Sequence, residues 1–262
     1  MVTRPTPHRS DAAHRAAGRV LDILEALTRG PEFTLTELSR TLGVPKSSLL
    51  ALLRTFVDRG YLEHQPTGAY RIGPRAIEMG FPSPFQRELP ALAGPVLLDL
   101  AEKSGESVFL ALLIQPPPEV VYVDKVESRQ RIRYTASLGE RRPLHCTAPG
   151  LAIFAFMPEA ERDRLLESVD LTPFTDVTVT DRDVLRARLE EVRSTGVAIN
   201  VDEFVAGASG IAAPIFDRAG AVVAACTVIG PTGRLLTQQD DLARWVKAAG
   251  DAVSRRLGFQ PG

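Results

Sequence analysis

Apolar residues recur at helical spacing at Ala17, Val20, Leu21, Leu24 and Leu27, which predicts a first helix stopped by Gly30. Residues 1–13 mix Pro, Arg, Ser and His without periodicity and read as a disordered tail. Thr34-Leu35-Thr36-Glu37 sets a hydroxyl and a carboxylate three residues apart, a capping box that opens a short second helix ending at Gly43. After the turn Gly43-Val44-Pro45, a third helix is expected from Lys46 to Arg59, closed by Gly60. Its stripe of Leu49, Leu52, Leu53, Phe56 and Val57 marks a core-facing surface. Tyr61-Leu62-Glu63 and Ala69-Tyr70-Arg71-Ile72, joined through Pro66-Thr67-Gly68, make a hairpin. This order predicts a winged helix-turn-helix over residues 14–73.

The faces of the third helix then take roles. Ser47, Ala51, Arg54 and Asp58 point away from the stripe and form the face offered to a major groove. Lys46, Ser47 and Ser48 stand at the helix N-terminus, where backbone N–H groups and the helix dipole favour a phosphate. Arg71 on the wing can reach the DNA backbone or minor groove. Leu50 and Ala51 bring apolar groups to the base edges, which favours readout of thymine methyls and DNA shape. The expected partner is a double-stranded operator. One such module reads only a short half-site, so two copies are expected. The apolar face of the first helix and Ile77 and Met79 are the candidate dimer contacts.

Residues 74–88 read as a linker, a short helix from Gly73 to Gly80 and the stiff spacer Phe81-Pro82-Ser83-Pro84. From 89 to 260 strands and helices mix. Strands are expected at Ser107–Ile114, Val120–Val126, Arg131–Thr135, Val197–Val201, Ser209–Phe216 and Ala221–Val228. Helices are expected at Leu89–Ser104, Pro149–Phe156, Glu159–Ser168, Asp181–Ser194 and Gln238–Leu257. The class is α+β, an antiparallel or mixed sheet flanked by helices.

Charge sharpens this division. The chain holds 31 Lys and Arg against 32 Asp and Glu, net −1. Residues 1–75 hold 11 against 7, so a front of +4 precedes a body of −5, as suits one polyanion-binding module joined to something else. No apolar run is long enough to span a bilayer, residues 1–11 lack a signal-peptide core, and two cysteines are too few for a disulfide framework. A cytoplasmic protein is expected.

Catalysis is disfavoured, and no cofactor or metal is expected. His145-Cys146 tempts as a base and nucleophile, but neighbours on a strand point to opposite faces. Asp202 and Glu203 diverge in the same way, and no His or Cys pair has metal-ligand spacing. Thr147-Ala148-Pro149-Gly150 is more suggestive: at a helix start its N–H groups suit a carboxylate, although a tight turn with Pro149 in the first helical position is the plainer alternative.

Several spaced motifs resemble those of IclR-type transcriptional regulators, over nearly everything from Ala16 to Leu257. They are Leu42-Gly43-Val44-Pro45-Lys46-Ser47-Ser48, Leu52-Leu53-Arg54-Thr55 and Gly60-Tyr61-Leu62 in the first half. In the second they are Pro143-Leu144-His145-Cys146-Thr147-Ala148-Pro149-Gly150, then Gly196, Glu203, Gly207, Ile211 to Asp217 and Gly230-Pro231. The resemblance implies a GAF-like α/β effector-binding domain, a homodimer or homotetramer, and control of a catabolic or transport operon by a small-molecule effector. The family usually has threonine, histidine and arginine where this chain has Ser48, Leu50 and Ala51. It often has lysine at the position of Leu151. An acid or serine, cysteine, serine and serine are common where this chain has Asn200, Gly210, Thr227 and Ile229, positions that resemble effector contacts. The expected effector is therefore an organic acid larger and more apolar than a two- or three-carbon acid, aromatic or branched. Its carboxylate would face the N–H groups of Ala148 to Leu151, and its body would lie against Ile229 and a space opened at Gly210.

Overall fold

The computed structural model describes residues 9–27, 32–79, 84–114 and 117–260. The chain divides into two compact units, residues 1–82 and 83–262.

The first unit holds helix α1 (Arg9–Leu27), strand β1 (Phe33–Thr34), α2 (Leu35–Leu42), α3 (Lys46–Asp58), β2 (Leu62–His64), β3 (Ala69–Ile72) and α4 (Pro74–Met79). Thr34 accepts the Glu37 N–H while the Glu37 carboxylate accepts the Thr34 N–H, so the capping box is complete. Gly43 closes α2 at φ 63°, a left-handed conformation that costs glycine little. Ile23, Leu38, Leu49, Leu53, Phe56 and Leu62 form the core, each such side chain contributing about 1.5–3 kcal/mol on burial. Two differences from the sequence reading stand out. Helix α1 starts at Arg9, inside the stretch expected to be a tail, and residues 9–16 hold no Gly or Pro that would stop it. Phe33-Thr34 adds a third strand, pairing with β3. The expected stop at Gly30, the spacer residues 81–83, and the side chains of Ile77 and Met79 lie outside the described residues.

The second unit runs α5 (Pro84–Ser104), β4 (Ser107–Ile114), β5 (Glu119–Val126), β6 (Arg141–Pro143), α6 (Ala148–Phe156), α7 (Glu159–Ser168), α8 (Arg182–Thr195), β7 (Ala198–Val205), β8 (Ala208–Phe216), β9 (Val222–Pro231), α9 (Thr232–Thr237) and α10 (Gln239–Arg256). The six strands form one antiparallel sheet in the order β6-β5-β4-β9-β8-β7. Helices α5 and α10 pack on it and on each other, and α6 packs against β8 and β9. Residues Ala148 to Ala155 of α6 are all buried, so this helix is enclosed on every side and shows no amphipathic period. It meets Ala212, Ala225 and Ile229 of the sheet and Leu185, Leu189 and Val192 of α8 in one core.

Arg131–Thr135 is not a strand. Its alternation imitates one, but Ile132 is 73% exposed and the local carbonyls bond to side chains from elsewhere. Arg234 donates to Ile132 O (2.8 Å), Ser107 to Tyr134 O (2.7 Å) and Lys125 to Ala136 O (2.8 Å). The sixth strand is β6 instead.

Candidate functional site

In the first unit, α3 presents Lys46, Ser47, Ser48, Ala51 and Arg54 to solvent, with Leu50 half-buried at their edge. Its N-cap, Pro45, makes no side-chain cap. The Ser48 N–H bonds to Pro45 O (3.0 Å), so Lys46 and Ser47 carry the N–H groups of the first turn that could receive an anion. Lys46 Nζ donates to Thr36 Oγ1 (2.8 Å), which ties the starts of α2 and α3 together; Thr36 went unmarked in the sequence because only this contact links it to the face. Arg54 has no ion-pair partner among the described residues. Arg71 does have one: it lies opposite Glu63 in the hairpin and pairs with it (2.5 Å). A half-exposed pair of this kind is worth about 0–1 kcal/mol, so Glu63 restrains Arg71 only weakly.

The second unit holds a cavity of about 30 Å³ between the start of α6 and the sheet. Asn200, Gly210 and Ile229 form one cross-strand row over β7, β8 and β9 and make its floor. Thr147, Ala148 and Pro149 border it from the helix, and Tyr122, Tyr134, Phe204, Val205, Ala208 and Ser209 complete it. The Asn200 amide donates to Cys146 O (2.7 Å), fixing β7 against the turn before α6. Phe204 and Val205 reach the cavity through an irregularity in β7, where the register breaks between Val201 and Val205 and Asp202 takes φ 59°. Asp202 holds this shape by accepting the Gly207 N–H (3.1 Å) and the Thr232 hydroxyl.

Of the eight residues expected around an effector, Ala148, Pro149, Asn200, Gly210 and Ile229 come together at the cavity, and Gly150, Leu151 and Thr227 do not line it. Gly150 N–H is taken by Thr147 Oγ1 (3.2 Å) and Leu151 N–H by Thr147 O (2.9 Å). Both of these N–H groups are spent inside the turn, and the expected carboxylate position at Gly150 and Leu151 is corrected. Thr227 shares the cavity face of the sheet but lies one row deeper, its hydroxyl donating to Ile211 O (3.1 Å). Nor does Gly210 open space. A Cβ there would stand 3.2 Å from the Ala148 Cβ, so the glycine serves the close approach of α6 to β8. The aromatic walls were missed because Tyr122, Tyr134 and Phe204 come from three separate segments with no common spacing.

His145 and Cys146 lie in the turn before α6 rather than on a strand, and both are buried. The Cys146 thiol is pushed up to about 12, chiefly by burial, which keeps it a thiol at neutral pH and a poor nucleophile. Burial also holds the His145 imidazole below its ordinary range; its Nε2–H faces Thr172 O at 3.1 Å. Glu203 of β7 pairs with Arg188 of α8 (2.5 Å), which ties the strand to that helix. No cluster of metal-ligating side chains occurs among the described residues, and no helix among them is long and apolar enough to cross a membrane.

Comparison with known proteins agrees with this two-part organisation. The IclR helix-turn-helix domain model matches residues 16–66, and the model for the bacterial transcriptional regulator IclR C-terminal domain matches 86–255. The chain is 31% identical to the HTH-type transcriptional regulator XynR of Escherichia coli, over 92% of this chain and 96% of that one. It is 35% identical to the HTH-type transcriptional regulator BhcR of Paracoccus denitrificans, over 94% and 86%. The crystal structure of the Thermotoga maritima IclR superposes with a TM-score of 0.72 at 28% identity, covering 94% of this chain and all of that one. An IclR homolog from Microbacterium hydrocarbonoxydans, solved in complex with 4-hydroxybenzoate, gives a TM-score of 0.70 at 25% identity over 91% and 97%. The chain belongs to the IclR family of bacterial helix-turn-helix transcriptional regulators.

Proposed function

We propose that this regulator binds a pseudo-palindromic operator as a homodimer or homotetramer, and that an organic acid bound in the second unit modulates that binding. Lys46, Ser47 and Ser48 engage phosphates at the start of α3, Ala51 and Leu50 contact thymine methyls, and Arg54 reaches a base edge or phosphate. Arg71 leaves Glu63 to contact the backbone from the wing. The observation that carries the effector half is the cavity itself, its Asn200-Gly210-Ile229 floor beneath the start of α6 and its apolar and aromatic walls. The 4-hydroxybenzoate complex of the homolog supports an aromatic acid as the class.

A cavity of about 30 Å³ has room for roughly one water. Ligand entry therefore moves wall side chains, and Val205, 42% exposed, stands where the wall meets solvent. A ligand that prefers the opened wall shifts the population toward it, the differential affinity on which regulation depends. The test is fluorescence anisotropy with DNA from upstream of the regulator's own gene, titrated with aromatic, branched and two- to three-carbon acids. An aromatic or branched acid is expected to change operator affinity by about fivefold or more. A response to glyoxylate or pyruvate alone would reverse the assignment of effector class.

A further inference from the structure

Arg142 sits in the short edge strand β6, yet its side chain is only 11% exposed. The guanidinium lies 5.0 Å from the Phe204 ring centre and 5.8 Å from that of Tyr122. Its Nη1 donates to Arg141 O (3.0 Å). Its Nη2 pairs with Glu140 (2.6 Å) and reaches the Tyr134 hydroxyl at 3.4 Å. Glu140 is itself fixed by accepting the Ser137 N–H (2.8 Å). The remaining donor, Nε–H, is buried and has no acceptor among the described residues.

Tyr122 and Phe204, whose rings the guanidinium faces, and Tyr134, whose hydroxyl it reaches, all line the cavity, and Arg142 stands directly behind them. A buried cationic donor left idle costs stability without return inside the folded chain. Nε shares one edge of the planar guanidinium with Nη2, and that edge is the one that a carboxylate grips with two oxygens. Three polar side chains of the wall are already engaged: Thr147 donates to Pro143 O, Asn200 to Cys146 O, and Ser209 is bonded to Thr232.

We propose that Arg142 is the anion anchor of this cavity and that the ligand is a planar aromatic carboxylic acid, its carboxylate accepting the Arg142 Nε–H and its ring lying among Tyr122, Tyr134, Phe204 and Ile229. The assignment rests on reading the cavity as the effector site, and moves the charged end of the ligand from the helix start to β6. Glu140 holds the Nη2 end of the fork in place before the ligand arrives, and shares that group with the incoming oxygen.

The probes are benzoate, its neutral isostere benzamide, and acetate, which has the charge without the ring, titrated calorimetrically into the full-length protein. Wild type is expected to bind benzoate at least about tenfold more tightly than either of the others, the size of one charge-assisted bond. The double variant R142M/E140Q removes both members of the buried pair together, so neither charge is left alone; it should bind benzoate and benzamide within about twofold of each other. Should the double variant fail to melt cooperatively, R142K, which retains charge but not the planar fork, is expected to lose about fivefold of the preference. Undiminished benzoate preference in R142M/E140Q or R142K overturns the anchor while leaving the effector site standing. Wild type preferring benzamide, or binding none of the three, overturns the ligand class; the operator-affinity titration with the wider acid panel then decides the effector reading separately.

Discussion

Three side chains show how position, rather than type, sets a role. Arg54, Arg71 and Arg142 carry the same group. Arg54 stands exposed on α3, Arg71 is held by Glu63 across the wing, and Arg142 is folded under two aromatic rings. Arg54→Ala is expected to weaken operator binding by about 1–3 kcal/mol if the group spans a guanine edge; unchanged affinity in a gel-shift titration at fixed salt would remove it from the interface. His145 offers a second test. Burial depresses its folded pKa, against smaller opposing effects of Thr172, Glu203 and Asp170, so the unfolded chain binds the proton more readily. Stability is then level above the ordinary histidine value of about 6.5 and declines as pH falls through it toward the folded value. His145→Gln should flatten that decline, read as the melting temperature between pH 8 and 5. An equal slope in both proteins would assign the acid sensitivity to other groups.

Elements differ in how much of them local sequence could reveal. The capping box at Thr34, the stripe on α3 and the left-handed Gly43 are local devices, and each was readable before any tertiary contact was known. The stretch between β5 and β6 was not, since its course is set by Ser107, Lys125 and Arg234, residues 27, 11 and 102 positions from the carbonyls they hold. The site was half readable for the same reason. Its floor follows from strand register, whereas Phe204 and Val205 arrive through a break in β7 that alternation cannot foresee. Buried Glu106 anchors Arg234, which in turn holds Ile132 O. Gly230 makes room for this: a Cβ there would lie 2.5 Å from Glu106 Oε2 and 2.7 Å from Leu235 Cδ1. Gly230→Ala should cost about 2–3 kcal/mol, measured by urea unfolding of the full chain. Wild-type stability in that variant would mean that Glu106 can retreat without losing Arg234.

The whole chain joins a basic helix-turn-helix unit to an acidic second unit, +4 against −5. The basic front attracts phosphates, and operator affinity should fall steeply with salt. The proposed assembly doubles that front, and light scattering at micromolar concentration should find a dimer or larger; a monomer would contradict the two-half-site reading. The two halves also differ in how freely they can be altered. With only 3.2 Å between a Cβ at Gly210 and the Ala148 methyl, the floor of the cavity admits no enlargement of its central residue without pushing α6 off the sheet. Tyr134, Phe204 and Val205 carry no such restriction from that contact. A library built to retune the proposed effector site for a biosensor should therefore diversify those three walls and leave Gly210 fixed, because the rim can change shape where the base cannot.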